Sequence, residues 1–403
     1  MQFLTQVKMI RIFVAVFSVI TFATVTVSAI ESQLFSSEFI WDFFKSSFDE
    51  RRNLATSPFS IRLGMTMLAN SITDGYTLKQ MTDKLHLPSS IARASEQNRR
   101  KLMVLQKDKH FSYATKLIVL GTESLNPKFL AAMHNFDTPA ERHPLSNLKS
   151  LPTLANRWAK NMTSGMVSTV LMDNELLPDT RMILLSATAF ASKWENQFNV
   201  NVSKVEMFSA YTTGKLYMTN FMNLEHTLLP VAMNDDLKMK AIELPFEKGS
   251  DYSFMIIMPL DRDGNMTEMV GKLNHKSFTK LYDSLVPMRI SVKMPRFKVS
   301  TGVNVNSVLK KLHLTAPFQW STFQIFRQEK LTLDKVKQSV TVQVDEQGVR
   351  AAAVDAYVMV TRSAPLTFQA DRPFVFAILK KSVHFPLFVG HYAYPANSSP
   401  IKP

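Results

Sequence analysis

The chain contains no cysteine. A disulfide framework, thiolate nucleophiles and cysteine-ligated zinc are therefore closed to it, and stability has to come from core packing. Glycine is scarce, 11 in 403 residues, and none of it forms a phosphate loop, a Gly-x-Gly-x-x-Gly turn or a Gly-x-Ser-x-Gly elbow. The nine histidines are scattered, with no His-Glu-x-x-His pair and no helical ligand spacing. Catalysis has no motif to rest on. The reading is a non-enzyme without cofactor or metal, and a hydrolase assembled from remote residues is the weakest alternative. Past the N-terminal stretch there is no second long apolar run, so no membrane span is expected. Acidic residues are in the minority, 33 against 47 Lys and Arg, for a formal charge of +14.

What is present begins with a secretory pattern over residues 1–29. Lys8 and Arg11 give a basic start, residues 12–20 an apolar core, and Val27-Ser-Ala29 the small residues that precede a cut. Cleavage after Ala29 would leave an extracellular chain of charge +12 and a single domain over 30–403. Four Asn-x-Ser/Thr triplets, at Asn161, Asn201, Asn265 and Asn397, suit that route as glycosylation acceptors. The excess positive charge suits anionic partners, and its densest cluster, Arg93 with Arg99, Arg100 and Lys101, is a candidate polyanion site. A solvated helix face is the plainer reading of the same cluster. No nucleic-acid motif accompanies it.

With 46% hydrophobic residues, the chain has ample material for a core. Phe39, Ile40, Phe43 and Phe44, with Leu34 and Phe35 before them, recur at helical spacing. Ser57 ahead of Pro58 opens another helix, and Thr77 with Gln80 reads as a capping box. The basic segment 91–109 and the stretch 154–162 read as helices, the latter ending near Gly165. Met182–Phe190 is almost unbroken apolar sequence, as in a strand buried on both faces. Strands follow at 237–244, 252–258, 288–294, 374–379 and 386–392, with one late helix near Val308. Helices early and strands late predict an α+β fold.

The most telling stretch is Ser339 to Phe376. Val340, Val342 and Val344 alternate with polar residues as in a half-buried strand. Glu346, Gly348 and Val349 then lead to the small residues Ala351, Ala352 and Ala353. A variable tip ends at Arg362-Ser363, and order resumes towards Phe374. A strand, a small-residue hinge, a cleavable tip and a second strand suggest a presented loop.

The residues carry a family resemblance along most of the mature length. Thr56-Ser-Pro-Phe-Ser-Ile61, Asn156-Arg-Trp158, Phe190-Ala-Ser-Lys-Trp-Glu195, Leu244-Pro-Phe246, Met294-Pro-Arg-Phe297, Val344-Asp-Glu-Gln-Gly348, Ala370-Asp-Arg-Pro-Phe374 and Phe388-Val-Gly390 follow one another as they do in serpins. The resemblance implies three β-sheets with about nine helices packed in layers and a reactive-centre loop offered to a serine protease. In that family the loop is cut, the protease is held as an acyl-enzyme, and the loop enters the main sheet as a new strand. Carried over, Glu346, Gly348, Val349 and Ala351–Ala353 form the hinge. Counting from the glycine puts the reactive bond at Arg362-Ser363, which suits a trypsin-like protease.

The resemblance also marks a gate of Ser57, Ser60, Ser186 and Gln338. Serpins usually carry asparagine where this chain has Ser186 and histidine where it has Gln338, so the gate is either rebuilt or loosened. Strand alternation turns Val349, Ala351, Ala353, Asp355 and Tyr357 to one face, which would bring a carboxylate inward on insertion. Two functions follow. One is a monomeric secreted inhibitor trapping a trypsin-like protease. The other is a non-inhibitory serpin, a binding module or carrier, or a protease substrate.

Overall fold

The structure is a computed structural model that describes residues 37–105, 110–136, 138, 140–210, 214–349, 366–396 and 398–401. The signal stretch 1–29, Ala351–Ala353, Arg362, Ser363 and Asn397 lie outside these. Among the described residues there are nine α-helices and three sheets, the α+β arrangement expected. No described helix is long and apolar enough to cross a membrane.

The helices are α1 (Glu38–Ser47), α2 (Pro58–Ala69), α3 (Gly75–Lys84), α4 (Ile91–Leu105), α5 (Pro127–Met133), α6 (Leu151–Met162), α7 (Met266–Lys272), α8 (His275–Asp283) and α9 (Val305–Lys311). In α1 the aromatic stripe is core: Phe39, Ile40, Phe43 and Phe44 are all buried. Helix α2 is buried on every side. Its Arg62 survives there by giving its guanidinium hydrogens to the carbonyls of Leu85 and His86, at 2.8 and 2.6 Å. Burial still draws its pKa down to about 10. The capping box expected at Thr77 and Gln80 is not formed. Asp74 caps α3 by accepting from the Thr77 amide at 2.7 Å. The Gln80 side chain instead accepts from the amides of Thr315 and Ala316.

A nine-stranded sheet runs β1 (Leu54–Thr56), β16 (Phe385–Tyr392), β15 (Phe374–Lys380), β9 (Tyr252–Pro259), β8 (Met239–Pro245), β7 (Lys215–Asn234), β10 (Val286–Pro295) and β14 (Thr367–Gln369), with β6 (Lys204–Ala210) paired to β7. A five-stranded sheet runs β11 (Phe297–Asn304), β12 (Lys335–Val344), β4 (Met182–Phe190), β2 (Phe111–Leu120) and β3 (Ala140–His143). Two short strands, β5 (Ser192–Lys193) and β13 (Gly348–Val349), pair with each other.

Strand β4 lies at the centre of this architecture, and all nine of its residues are buried. Ile183, Leu185 and Ala187 cluster with Leu151, Ala155 and Ala159 of α6. The alternate residues turn towards α2: Ser186 reaches Ser60, and Leu184 lies against Gly64. Each large apolar side chain so enclosed contributes about 1.5–3 kcal/mol. The near-continuous apolar sequence of 182–190 thus reflects cover on both faces, as expected.

Candidate functional site

Strands β12 and β4 pair in parallel, from Lys335 opposite Ile183 to Thr341 opposite Ala189. Within that register Gln338 stands directly across from Ser186. Both side chains point to α2 and are buried, with 0% and 1% of their surface exposed. A buried amide is tolerable only if its donors and acceptor are satisfied. Gln338 Oε1 accepts from Thr56 Oγ1 at 2.7 Å and from the Ser57 amide at 3.1 Å. Its Nε2 donates to the Ser57 carbonyl at 2.7 Å and to Ser60 Oγ at 2.8 Å. The backbone of Ser57 therefore fixes which end of the amide is which.

Ser60 Oγ donates to the Ser57 carbonyl at 2.8 Å, so in its 2.8 Å contact with Ser186 the hydroxyl of Ser186 is the donor. Thr188, two residues along the same face, completes the cluster at 3.4 Å. Ser57 Oγ donates to the Leu387 carbonyl of the other sheet at 2.9 Å. The four residues expected to form the gate are thus joined in one hydrogen-bonded cluster that contains no titratable side chain. Sequence reading missed Thr56 and Thr188. Thr188 was within reach, since a strand returns to the same face every second residue.

Above Thr341 and Ala189 the chain makes a tight turn at the expected hinge. Asp345 and Gly348 exchange backbone hydrogen bonds of 3.1 and 3.2 Å, which turns the chain back on itself. Gly348 then pairs with Lys193 and Val349 with Ser192, antiparallel. At Gly348 φ is +142°, and a Cβ there would meet the Ser192 carbonyl oxygen at 2.3 Å. Only glycine fits. The turn is anchored from below: the Trp194 indole donates to the Asp345 carbonyl at 2.8 Å, and the Trp194 and Phe198 amides donate to the carbonyls of Gln347 and Glu346. Trp194 stacks on Phe246, ring centres 5.0 Å apart. Three separated sequence motifs, at 190–195, 244–246 and 344–348, thus meet at one point. Burial raises the Asp345 carboxyl above its ordinary value.

Glu346 is turned inward. Ser203 Oγ donates to it at 2.9 Å, and Arg296 lies 3.7 Å from its other oxygen. Arg296 lies in the quoted Met294–Phe297 motif, but neither it nor Ser203 could be matched to Glu346 from the sequence, because both come from distant segments.

One member of the basic cluster is misplaced. Lys101 is buried, with 1% of its surface exposed, and cannot contribute to a polyanion surface. Burial, then the neighbouring charge of Arg62, holds its pKa well below that of an ordinary lysine. Arg99 and Arg100 both pair with Glu96, which their hydrogen bonds bring to a pKa of about 2. Arg93 remains exposed. The residue that spoils the patch is an amphipathic helix's inward-facing lysine, hidden among its outward-facing neighbours. Asn161, Asn201 and Asn265 are exposed. Among the described residues no group of His, Asp and Glu could hold a metal.

A family model, Serpin (serine protease inhibitor), matches residues 35–395. Among curated relatives, an FXa-directed anticoagulant of Aedes albopictus is 26% identical over 376 residues, 89% of this chain and 86% of its own. Glia-derived nexin of Mus musculus is 26% identical over 358 residues, 85% and 88% of the two chains. Among solved structures, SRPN18 from Anopheles gambiae superposes with a TM-score of 0.80 at 20% identity, covering 90% of this chain and 97% of that one.

Proposed function

The chain belongs to the serpin family, and from that premise we propose that it is a secreted inhibitor that traps a trypsin-like serine protease. The protease would cut Arg362-Ser363, and the freed hinge segment would enter the five-stranded sheet between β4 and β12. One observation carries this reading: Gly348 and Val349 already pair antiparallel with Lys193 and Ser192, at the mouth where β4 and β12 part. That is the direction and place a new strand needs. Continued residue by residue, the same register would set Ala351 across from Phe190, Ala353 from Thr188, Asp355 from Ser186 and Tyr357 from Leu184. Paired residues share a face, so Asp355 would arrive at the hydroxyls of Ser60, Ser186 and Thr188, not in an apolar wall.

The insertion is downhill because it pairs backbone groups and buries alternate side chains only after cleavage. The family model and the FXa-directed relative support an inhibitor, and Arg362 supports a protease whose specificity pocket holds a carboxylate. The leader pattern and the exposed Asn161, Asn201 and Asn265 support secretion and glycosylation. The decisive experiment is incubation with trypsin, read on a denaturing gel. The inhibitor gives a band at the summed mass that survives heat and SDS. Loop cleavage without that band sinks the proposal in favour of a carrier or substrate role.

A further inference from the structure

The hinge borders an open cleft of about 400 Å³, lined by β6, β7, the start of β11 and the end of β12. Its lining combines two kinds of chemistry. Arg296 and Lys298 line it, and both are solvent-exposed. Lys298 makes no ion pair with the described residues, and the Arg296 guanidinium lies 3.7 Å from Glu346, with its charge also felt by Asp345. Among the described residues no acidic side chain lines the cleft. Val205 and Met218, also in the lining, are 59% and 45% exposed. They begin an apolar stripe that continues along the same face of the β6–β7 pair through Met207 and Leu216, also exposed. Apolar residues grouped this way on a surface mark a contact site more often than isolated ones do.

We propose that this cleft binds a small amphipathic anion, a medium-chain carboxylate, whose headgroup pairs with Lys298 and Arg296 and whose tail lies on Met218 and Val205. The volume falls within the range of small-molecule sites, and a headgroup with a flexible chain matches a lining that combines two cations with the start of an apolar stripe. Occupation also reaches the hinge. An anion that draws Arg296 away leaves the buried Glu346 carboxylate with Ser203 but without its cation, which weakens the turn at Gly348. That second consequence rests on the inhibitor reading; the binding does not.

Decanoate, titrated calorimetrically into the whole protein below its micellar concentration, is the probe. The expected result is saturable binding at one site, weakened at least tenfold by Lys298→Glu and by Met218→Glu. Both positions are exposed, so the variants should keep the parent's melting temperature. Absence of saturable binding, or parental affinity in both variants, overturns the proposal. Amide exchange at Glu346–Gly348 should rise with decanoate bound; unchanged exchange removes the link to the hinge. A chain that binds decanoate but never traps trypsin would refute the inhibitor and leave this site standing.

Discussion

Gly348 lies against Lys193 with no space for a side chain: a Cβ at 348 would stand 2.5 Å from the Lys193 Cα, under a backbone φ of +142°. The two residues are register partners in the short antiparallel pair that begins the hinge. Gly348→Ala must therefore distort the turn or abandon the pairing, at a cost of about 1–3 kcal/mol. Hydrogen exchange checks this locally. The Trp194 amide, which donates to the Gln347 carbonyl at 3.0 Å, should lose protection in the variant, while amides of β15 keep theirs. Equal protection at Trp194 would mean the pairing is not the constraint described.

The gate gives a second expectation. Gln338→Leu removes four hydrogen bonds at once and leaves the buried Ser57 amide and Thr56 hydroxyl short of an acceptor. Each buried group left unpaired costs about 1–3 kcal/mol, so the urea midpoint should fall with little change in slope. Gln338→His tests a different property. The existing gate has no group that titrates near neutrality, whereas an enclosed imidazole resists protonation. In the variant, stability should fall as pH drops below about 6.5, beyond the decline of the parent. Parallel pH profiles would show that the new ring is not enclosed.

His391 supplies a pH dependence of the parent itself. The ring is fully buried; Nδ1 donates to the Arg52 carbonyl at 3.2 Å, and Nε2 has no hydrogen-bond partner among the described residues. Burial lowers its pKa from 6.5 to about 4. The folded state thus favours the neutral ring. That stabilisation is complete above the unfolded value and is lost as pH falls from 6.5 towards 4, on the order of 3 kcal/mol in all. His391→Phe keeps an aromatic beside Phe48 and removes the proton acceptor. Its stability should change less between pH 6.5 and 4 than the parent's, whatever its absolute value. An equal slope in both proteins would remove His391 as the cause.

How much of this was legible in the sequence depended on the range of the interaction. The apolar run 182–190 announced a doubly covered strand because burial on both faces leaves no polar alternation. That Ser57, Ser60, Ser186 and Gln338 belong together was suggested by resemblance, and the hydrogen bonds join them. Local hydrogen-bond competition was not: Thr77 and Gln80 have the capping-box spacing, yet Asp74 takes the cap and Gln80 serves a distant loop. Lys101 was misplaced because a charge cluster shows which residues are near in sequence, not which way each one points. The pairing of Gly348 with Lys193 and the contact of Glu346 with Arg296 and Ser203 join segments far apart in the chain, and no local pattern encodes them.

Asp355 is where the sequence and the structure bear on each other most directly. Read from the sequence alone, an inward carboxylate should stall a strand entering the sheet. The register begun at Gly348–Lys193 changes that expectation, because it would carry Asp355 to Ser186, whose hydroxyl lies among those of Ser60 and Thr188. Hydroxyl rotors can turn to donate to a carboxylate, and bonds to a charged acceptor are the stronger kind. The two residues should therefore be coupled in the cleaved protein and uncoupled in the intact one. A double-mutant cycle of Asp355→Ala and Ser186→Ala, measured as the thermal stability gained on loop cleavage, separates the possibilities. An interaction of about 1 kcal/mol or more, seen only after cleavage, is the expected outcome. Additive effects in the cleaved form would mean that Asp355 does not reach the gate. A further gain on Asp355→Ala alone would restore the view that this carboxylate obstructs the insertion.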